Sequence, residues 1–261
     1  PACGTGEYHA LSTDEVSEVV ATTRKHVTDV PVYAGAGGTL GNAVLSAKAA
    51  ADAGADGLLI LPPYLIAPSQ EGLARYVETI VDAAGIPSVI YHRGTAKYTA
   101  ETVGALAAHP LITGFKDGVG DIAETQLIVL AAQESGGSEF EFFNGLLTAE
   151  LSQGAYRGIG VPRYSSAAFA MVPDLSTAFF RAYRDQNTSS IELLLREFFR
   201  PLVRLRDKVP GYGVSIVKAG VRLEGLDVGP VRAPLVDLPE AHLRELESII
   251  QRGRDAVASL G

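Results

Sequence analysis

A short apolar segment, Leu111-Ile112-Thr113-Gly114-Phe115-Lys116-Asp117-Gly118-Val119-Gly120, carries a lone lysine just before a run of turn residues. The apolar and β-branched side chains of residues 112–115 predict a buried strand, and the glycines after Lys116 predict a turn. Asp121 with Glu124 has the spacing of a helix-capping pair, so a helix is expected next. Lys116 is therefore predicted at a strand-to-helix junction, where α/β folds build their sites.

A lysine at this junction has two interpretations. Its amine attacks a carbonyl only when neutral, and an ordinary lysine pKa of ~10.4 lies roughly three units above neutral pH. Burial disfavours the ammonium form, so a buried Lys116 becomes a nucleophile that can form an imine. Alternatively, Lys116 forms a structural ion pair with Asp117 or another carboxylate at the strand end. The segment by itself leaves both interpretations open.

Composition excludes several classes of function. The chain has 261 residues, 47% of them hydrophobic, and a net charge of −8, which argues against a nucleic-acid surface and favours small polar substrates. Cys3 is the only cysteine, and the five histidines are scattered, so neither a disulfide framework nor a metal site is expected. No apolar run approaches the ~18 residues of a membrane span. A reducing cytoplasm is the expected compartment.

Apolar segments alternate with helical patterns through the first two thirds of the chain. This alternation predicts parallel strands covered on both faces, and the α/β (β/α)8 TIM barrel is the best fit, with additional C-terminal helices. The predicted strands are Val32 to Ala36, Gly57 to Leu61, Val89 to Tyr91, Ile112 to Phe115, Phe140 to Phe143 and Gly158 to Val161.

Six strands, together with the end of a seventh at Ala2, do not close an eight-stranded barrel. We therefore expect residues 1–172 to form a barrel that lacks its first βα unit, and residues 173–261 to form the last barrel helix and a helical extension. Without an upstream unit, the strand at Val32 and the strand at Gly158 would expose unpaired backbone groups. The sequence thus predicts upstream residues that complete the sheet.

Polar residues at turns and strand ends can hold a small substrate. Tyr91 ends the strand one βα unit before Lys116; its phenol can relay protons there, or it is only a core aromatic with a hydrated hydroxyl. Gly4-Thr5-Gly6 offers N–H groups and a hydroxyl that suit a carboxylate, or it is a plain tight turn. Ser165 and Ser166 can bind a polyhydroxy substrate or cap a helix.

Two further features are weaker. Asn144 ends the predicted fifth strand and is a candidate for substrate binding. Gly35-x-Gly37-Gly38-x-x-Gly41 approximates a dinucleotide fingerprint, but no acidic residue is well placed after the next strand. Glycine-rich turns between strands and helices are common whatever the ligand.

Four motifs stand in order along the chain: Cys3-Gly4-Thr5-Gly6-Glu7, Pro62-Pro63-Tyr64-Leu65, Tyr91 with Arg93, and Gly114-Phe115-Lys116-Asp117-Gly118. Together they resemble the dihydrodipicolinate synthase / N-acetylneuraminate lyase family of Schiff-base barrels. The segment from Gly211 to Gly220 is similar to one dehydratase branch of that family. The resemblance covers the whole chain, whereas the family's first strand, first helix and most of its second strand have no counterpart here.

The resemblance implies a lyase that dehydrates and decarboxylates a small keto sugar acid through a covalent imine on Lys116, without a metal or another cofactor. It implies that Tyr91 relays protons and that Gly4-Thr5 holds the carboxylate beside the keto group. Arg93, which shares the motif with Tyr91, is a candidate for substrate binding. The loop Tyr164-Ser165-Ser166 would face the distal end of the substrate. A homo-oligomer, either a dimer or a tetramer, is expected, with no nucleic-acid or membrane partner.

Departures from the family pattern keep rival functions open. His92 and Ala170 each stand where an asparagine is usual, and Arg163 stands where a small or hydroxylic residue is usual. These departures motivate a first rival, an aldolase or lyase that acts on another 2-keto-3-deoxy sugar acid. A second rival is a non-covalent phosphate- or nucleotide-binding barrel that uses the glycine-rich turn at residues 35–41. A third is an inactive scaffold that lacks the upstream unit.

Overall fold

The structure is a computed structural model that describes residues 1–136 and 139–260. Its central element is one sheet of six parallel strands in chain order. The strands are β1 (Tyr33–Gly38), β2 (Gly57–Pro63), β3 (Ser88–His92), β4 (Ile112–Asp117), β5 (Glu141–Asn144) and β6 (Arg163–Tyr164). The predicted alternation of strands and helices is therefore confirmed.

Helices connect the strands and make up the C-terminal part. Those of the alternating region are α1 (Thr13–His26), α2 (Leu40–Asp52), α3 (Gln70–Ala84), α4 (Ala100–Ala107), α5 (Ile122–Gly136) and α6 (Gln153–Gly158). Those that follow the sheet are α7 (Pro173–Arg184), α8 (Thr188–Leu194), α9 (Arg200–Arg206), α10 (Tyr212–Leu223) and α11 (Glu240–Ala258). No helix within residues 1–136 and 139–260 combines the length and the apolar character that crossing a membrane requires.

Capping residues fix several helix starts, among them the predicted cap at Asp121. Ser12 and Glu15 form a complete capping box at α1, because the side chain of each accepts a hydrogen bond from the backbone N–H of the other. Ser69 caps α3 through Gly72 N–H, and Asp121 accepts from Glu124 N–H at the start of α5. The α5 cap fixes where the chain leaves the turn after Lys116.

The chain divides into two compact units. The first contains Pro1–Leu146 and Ala155–Ser165, and therefore the whole sheet. The second contains Leu147–Gly154 and the described chain from Ser166 onward. Its interior is aromatic: Phe199 lies between Phe179 and Phe198, with ring centres 5.0 and 4.9 Å apart in edge-to-face geometry.

The two faces of the sheet differ in chemistry. Alternate strand residues such as Ile60, Ile90 and Phe115 belong to the large core that includes the helices. The residues between them point to the opposite face, because side chains alternate along a strand. That second face has a small cluster of its own, formed by Leu59, Leu61, Val89 and Tyr91, with Cys3, Tyr8, Tyr33 and Phe143 packed against it.

The predicted sixth strand is wrong. Gly158 ends α6, and Val161 N–H donates to the carbonyl of Tyr156, which closes the helix end. Gly160 has a φ of 82°, so the chain turns there and pairs with β5 only at Arg163–Tyr164. Apolar periodicity cannot distinguish a buried helix end from a short strand, and this caused the misassignment.

The sheet ends match the expected topology. Within the described residues, β1 and β6 each have one neighbouring strand, so six strands form a row. Ala2 lies directly against β1, since a Cβ placed on Gly35 would collide with the carbonyl oxygen of Ala2. Completion of the sheet by upstream residues remains a prediction.

Candidate active site

Lys116 and Tyr91 stand side by side at the carboxyl ends of neighbouring strands. Tyr91 of β3 is in register with Lys116 of β4, so both side chains project from the same face of the sheet. The Lys116 Nζ lies 4.7 Å from the centre of the Tyr91 ring, a cation–π distance. Tyr91 is buried and Lys116 half-buried. The sequence predicted this pair, and the register explains how it forms.

Lys116 has no carboxylate within ion-pair distance in the described part of the chain. Asp117 points to the other face of the sheet, because consecutive strand residues alternate. Burial lowers the pKa of Lys116 below its ordinary value; the Arg93 cation also lowers it, whereas Cys3 acts in the opposite direction. The structural ion pair with Asp117 is therefore wrong, and burial shifts the Lys116 amine toward its neutral form.

The hydroxyl of Tyr91 is held from two sides. It donates to the carbonyl of Gly145 at 3.0 Å and accepts from Arg93 Nη1 at 2.9 Å. The Arg93 guanidinium carbon also lies 5.7 Å from the centre of the Tyr91 ring. This arrangement fixes the phenol beside the lysine and orients it for proton transfer.

Two glycines make room for the pair. A Cβ on Gly145 would lie 2.5 Å from Lys116 Cε, and one on Gly118 would lie 2.8 Å from the Tyr91 ring. Contacts this short exclude a side chain at either position without displacement of a neighbour. From the sequence, both residues could be recognised only as turn glycines. Their position directly after the strands that carry site residues was the signal that could have indicated their role.

The N-terminal turn presents unused donors. Gly4, Thr5 and Gly6 are exposed, and among the described residues neither Gly4 N–H nor Thr5 N–H has a hydrogen-bond acceptor. Ala2 and Glu7 bracket this turn with φ of 48° and 56°, conformations that cost non-glycine residues about 1–3 kcal/mol each. Such strained, donor-rich turns suit an anion.

Cys3 brings this turn to the cluster that contains Tyr91, against which it is packed. Burial raises the pKa of the Cys3 thiol, whereas the positive charges of the N-terminus and of Lys116 act in the opposite direction. Tyr8 fixes the other end of the turn, because its hydroxyl accepts from Gly37 N–H at 2.9 Å and lies 3.1 Å from the Gly37 carbonyl. Sequence reasoning missed both contacts, which join segments far apart in the chain.

On the opposite face, Asp117 organises the turn after Lys116. Its carboxylate accepts from Val119 N–H at 2.9 Å, from Gly120 N–H at 3.0 Å and from the hydroxyl of the fully buried Tyr156. His92, in register with Asp117, is buried, and desolvation lowers the pKa of its imidazole. These contacts position the backbone from which Lys116 projects.

The remaining predicted site residues are placed differently. Asn144 pairs with Asp117 on the face away from Lys116 and accepts from Leu146 N–H at 3.1 Å, so this geometry gives it a turn-stabilising role. Ser165 is exposed and donates its N–H to Asn144 at 3.1 Å. Ser166 belongs to the second unit, where its hydroxyl accepts from Phe169 N–H at 3.2 Å. Substrate contacts by these three residues remain predictions.

The glycine-rich turn has a packing explanation. A Cβ on Gly37 would lie 2.5 Å from Leu61 Cβ, and Gly35 is pressed against Ala2, so these two glycines allow close approach of neighbouring backbone. Among residues 1–136 and 139–260, no group of three or more His, Cys, Asp or Glu side chains has metal-site geometry.

Comparison with known proteins identifies the family. Residues 1–253 match the dihydrodipicolinate synthetase family. The chain belongs to this family. It is 49% identical over 258 residues to the probable 5-dehydro-4-deoxyglucarate dehydratase of Streptomyces griseus, covering 98% of this chain and 81% of that protein. A protein of the same name from Variovorax paradoxus is 42% identical over 251 residues, which cover 95% of this chain and 82% of that protein.

Solved structures of dihydrodipicolinate synthases have the same fold. The enzyme from Oceanobacillus iheyensis superposes with a TM-score of 0.86 at 27% identity, over 98% of this chain and 84% of that chain. The Thermotoga maritima enzyme superposes with a TM-score of 0.84 at 24% identity, over 97% of this chain and 85% of that chain. Together with the parallel sheet, these likenesses confirm the predicted α/β barrel class, and family membership with the dehydratase relatives makes the chain a lyase.

Proposed function

We propose that this member of the dihydrodipicolinate synthetase family converts 5-dehydro-4-deoxy-D-glucarate to 2,5-dioxopentanoate, carbon dioxide and water. The observation that carries the proposal is the half-buried amine of Lys116, unpaired with any described carboxylate and adjacent to the held phenol of Tyr91. The substrate comes from the names of relatives that match nearly the whole chain.

The first step forms an imine. The neutral Lys116 amine attacks C5 of the keto acid, and the carbonyl oxygen leaves as water. Burial supports this step because it lowers the pKa of Lys116 and so raises the fraction of neutral amine. The free N–H groups of Gly4 and Thr5 hold the carboxylate next to C5, and the Tyr91 hydroxyl carries protons to and from the reacting carbons.

The imine then drives two eliminations. Loss of a C4 proton gives an enamine, which expels the C3 hydroxyl as water. The resulting conjugated iminium accepts the C1–C2 bonding pair when C1 leaves as carbon dioxide. The enol at C2 takes up a proton at C3 and becomes the aldehyde, a second proton returns to C4 of the enamine, and water adds to C5 of the resulting iminium and frees Lys116. The imine is the electron sink at each stage, so the scheme includes no metal and no other cofactor.

The test combines products with trapping. Incubation with 5-dehydro-4-deoxyglucarate should release one carbon dioxide per 2,5-dioxopentanoate, and borohydride should leave a reduced adduct on Lys116 by peptide mass spectrometry. Lys116→Ala should abolish the adduct, and Lys218→Ala, which changes a lysine of α10, should retain it. Release of pyruvate would identify an aldolase instead, and labelling of Lys218 would contradict the assignment of the nucleophile.

The same proposal includes the working form of the enzyme. We expect a homo-oligomer, a dimer or tetramer, in the cytoplasm. Three consecutive apolar side chains after β2, Tyr64, Leu65 and Ile66, are 62%, 80% and 63% exposed, which supports a protein contact there. Light scattering after size-exclusion chromatography measures the assembly, and a monomer at working concentration would contradict it.

A further inference from the structure

A second arginine shares the face of the sheet with Lys116. Lys116 is in register with Phe143 of β5, and Phe143 with Arg163 of β6, so the three residues form one row across the sheet. Side chains in register on parallel strands point to the same face. Since adjacent strands lie about 4.8 Å apart, the Cα atoms of Lys116 and Arg163 are separated by roughly 10 Å.

An ion pair supports this orientation independently. Arg163 Nε lies 2.5 Å from Glu141 Oε2, and Nη2 donates to Glu141 Oε1 at 2.7 Å. Glu141 precedes Phe143 by two residues on β5, so it points to the same face. The two-pronged contact fixes the plane of the guanidinium and leaves Nη1 without an acceptor among the described residues. With 58% of its side chain exposed, Arg163 is reachable by a ligand.

The two arginines have different positions relative to the lysine. Arg93 is engaged with the Tyr91 hydroxyl, on the β3 side of Lys116. Arg163 lies on the other side, beyond Phe143. A six-carbon diacid bound at its keto carbon carries its second carboxylate four carbon–carbon bonds away, each about 1.5 Å long. This length suits a span from the imine to a cation two strands away.

We propose that Arg163, oriented by Glu141, binds the distal carboxylate of the substrate and selects dicarboxylic over monocarboxylic keto acids, an inference that rests on the proposed imine at Lys116. A guanidinium binds carboxylates through paired N–H groups, which gives geometric selectivity as well as attraction. In the proposed reaction this carboxylate is C1, so Arg163 holds the group that departs as carbon dioxide.

Two probes of equal chain length test the inference. 2-Oxoadipate carries a distal carboxylate and 2-oxohexanoate carries a methyl group, and both have the carboxylate beside the ketone. The half-saturating concentration for borohydride trapping is measured for each acid. Arg163→Met should raise it for 2-oxoadipate by about ten- to a hundredfold, the size of a hydrogen bond to a charged group, and leave it unchanged for 2-oxohexanoate. For Arg163→Lys, the half-saturating concentration of 2-oxoadipate should lie between those of the wild type and of Arg163→Met. Lysine keeps the positive charge but lacks the paired N–H groups of the guanidinium.

Arg75→Met is the matched control, since Arg75 also pairs with a glutamate, Glu71, but on the surface of α3. It should change neither value. Equal effects of Arg163→Met on both acids, or no effect on either, would overturn the inference about Arg163. The proposed imine at Lys116 would be unaffected by that result. Should the wild-type protein form no adduct with its sugar acid or with either probe, the proposed function fails, and the inference fails with it. Arg163→Lys keeps the test decisive if the methionine variant does not fold.

Discussion

The side-chain nitrogen of Lys116 lies over the ring of Tyr91, 4.7 Å from its centre, and the hydroxyl of the same ring donates to the Gly145 carbonyl at 3.0 Å. One aromatic side chain therefore links the proposed nucleophile to the turn after β5. Because the two residues are register partners on parallel strands, their spacing is set by the sheet and not by a flexible loop. Because this spacing is fixed, substitutions of the Tyr91 hydroxyl, of Lys116 and of Gly145 should have effects that can be measured separately.

Tyr91→Phe should keep the ring under the lysine and remove the proton relay. We expect turnover to fall by ~10²-fold or more, the usual contribution of a positioned acid–base group, while the reduced adduct on Lys116 still forms. Loss of the two hydrogen bonds of this hydroxyl should lower the free energy of unfolding by about 1–3 kcal/mol. Tyr76→Phe, which removes a hydroxyl bonded to Gly38, is the control. An unchanged turnover would reassign Tyr91 to packing.

Gly145→Ala should displace the lysine. The new methyl group would lie 2.5 Å from Lys116 Cε and 2.8 Å from the Asp117 carbonyl oxygen, so the side chain must move. Overpacking should cost about 1–3 kcal/mol, and misplacement of the amine should slow adduct formation by about a hundredfold. Gly41→Ala has open space around its Cβ and should change neither quantity markedly. A folded Gly145→Ala protein with normal trapping would contradict the assigned geometry.

Lys116→Met should abolish activity and stabilise the fold. Burial lowers the pKa of Lys116 in the folded state, so below that pKa the folded protein bears the cost of a desolvated charge. The methionine variant should unfold at higher denaturant concentration at neutral pH. Its advantage should shrink as the pH rises toward the ordinary lysine value and the wild-type lysine loses its proton. An advantage that is absent at neutral pH would show that the lysine is fully hydrated.

Glu150→Gln should raise stability in a pH-dependent way. Glu150 is 2% exposed, neither carboxylate oxygen has a hydrogen-bond partner in the described chain, and burial raises its pKa while nearby Ser166 acts in the opposite direction. Wild-type stability should therefore fall as the pH rises above the ordinary glutamate value of about 4.5. The glutamine variant cannot ionise, so the difference in free energy of unfolding should grow with pH. A constant difference would indicate a solvated carboxylate.

Local pattern was sufficient to predict much of the fold. The strand that carries Lys116, the cap at Asp121 and Glu124, and the alternation of strands and helices all depend on neighbours in the chain. The error at Gly158 arose where the local signal was ambiguous, because a buried helix end and a short strand have similar apolar patterns. Local pattern likewise allowed the candidate residues at strand ends to be named, but it did not predict the face of the sheet to which each side chain points.

The sequence by itself determined that a lysine would stand at the carboxyl end of a parallel strand with a tyrosine one unit earlier. Only the tertiary structure decided which neighbours these two residues have. Strand register set Tyr91 beside Lys116 and Arg163 in the same row, while alternation turned Asp117 and Asn144 to the other face. Register and burial arise from contacts between segments distant in the chain, and local propensity does not encode them.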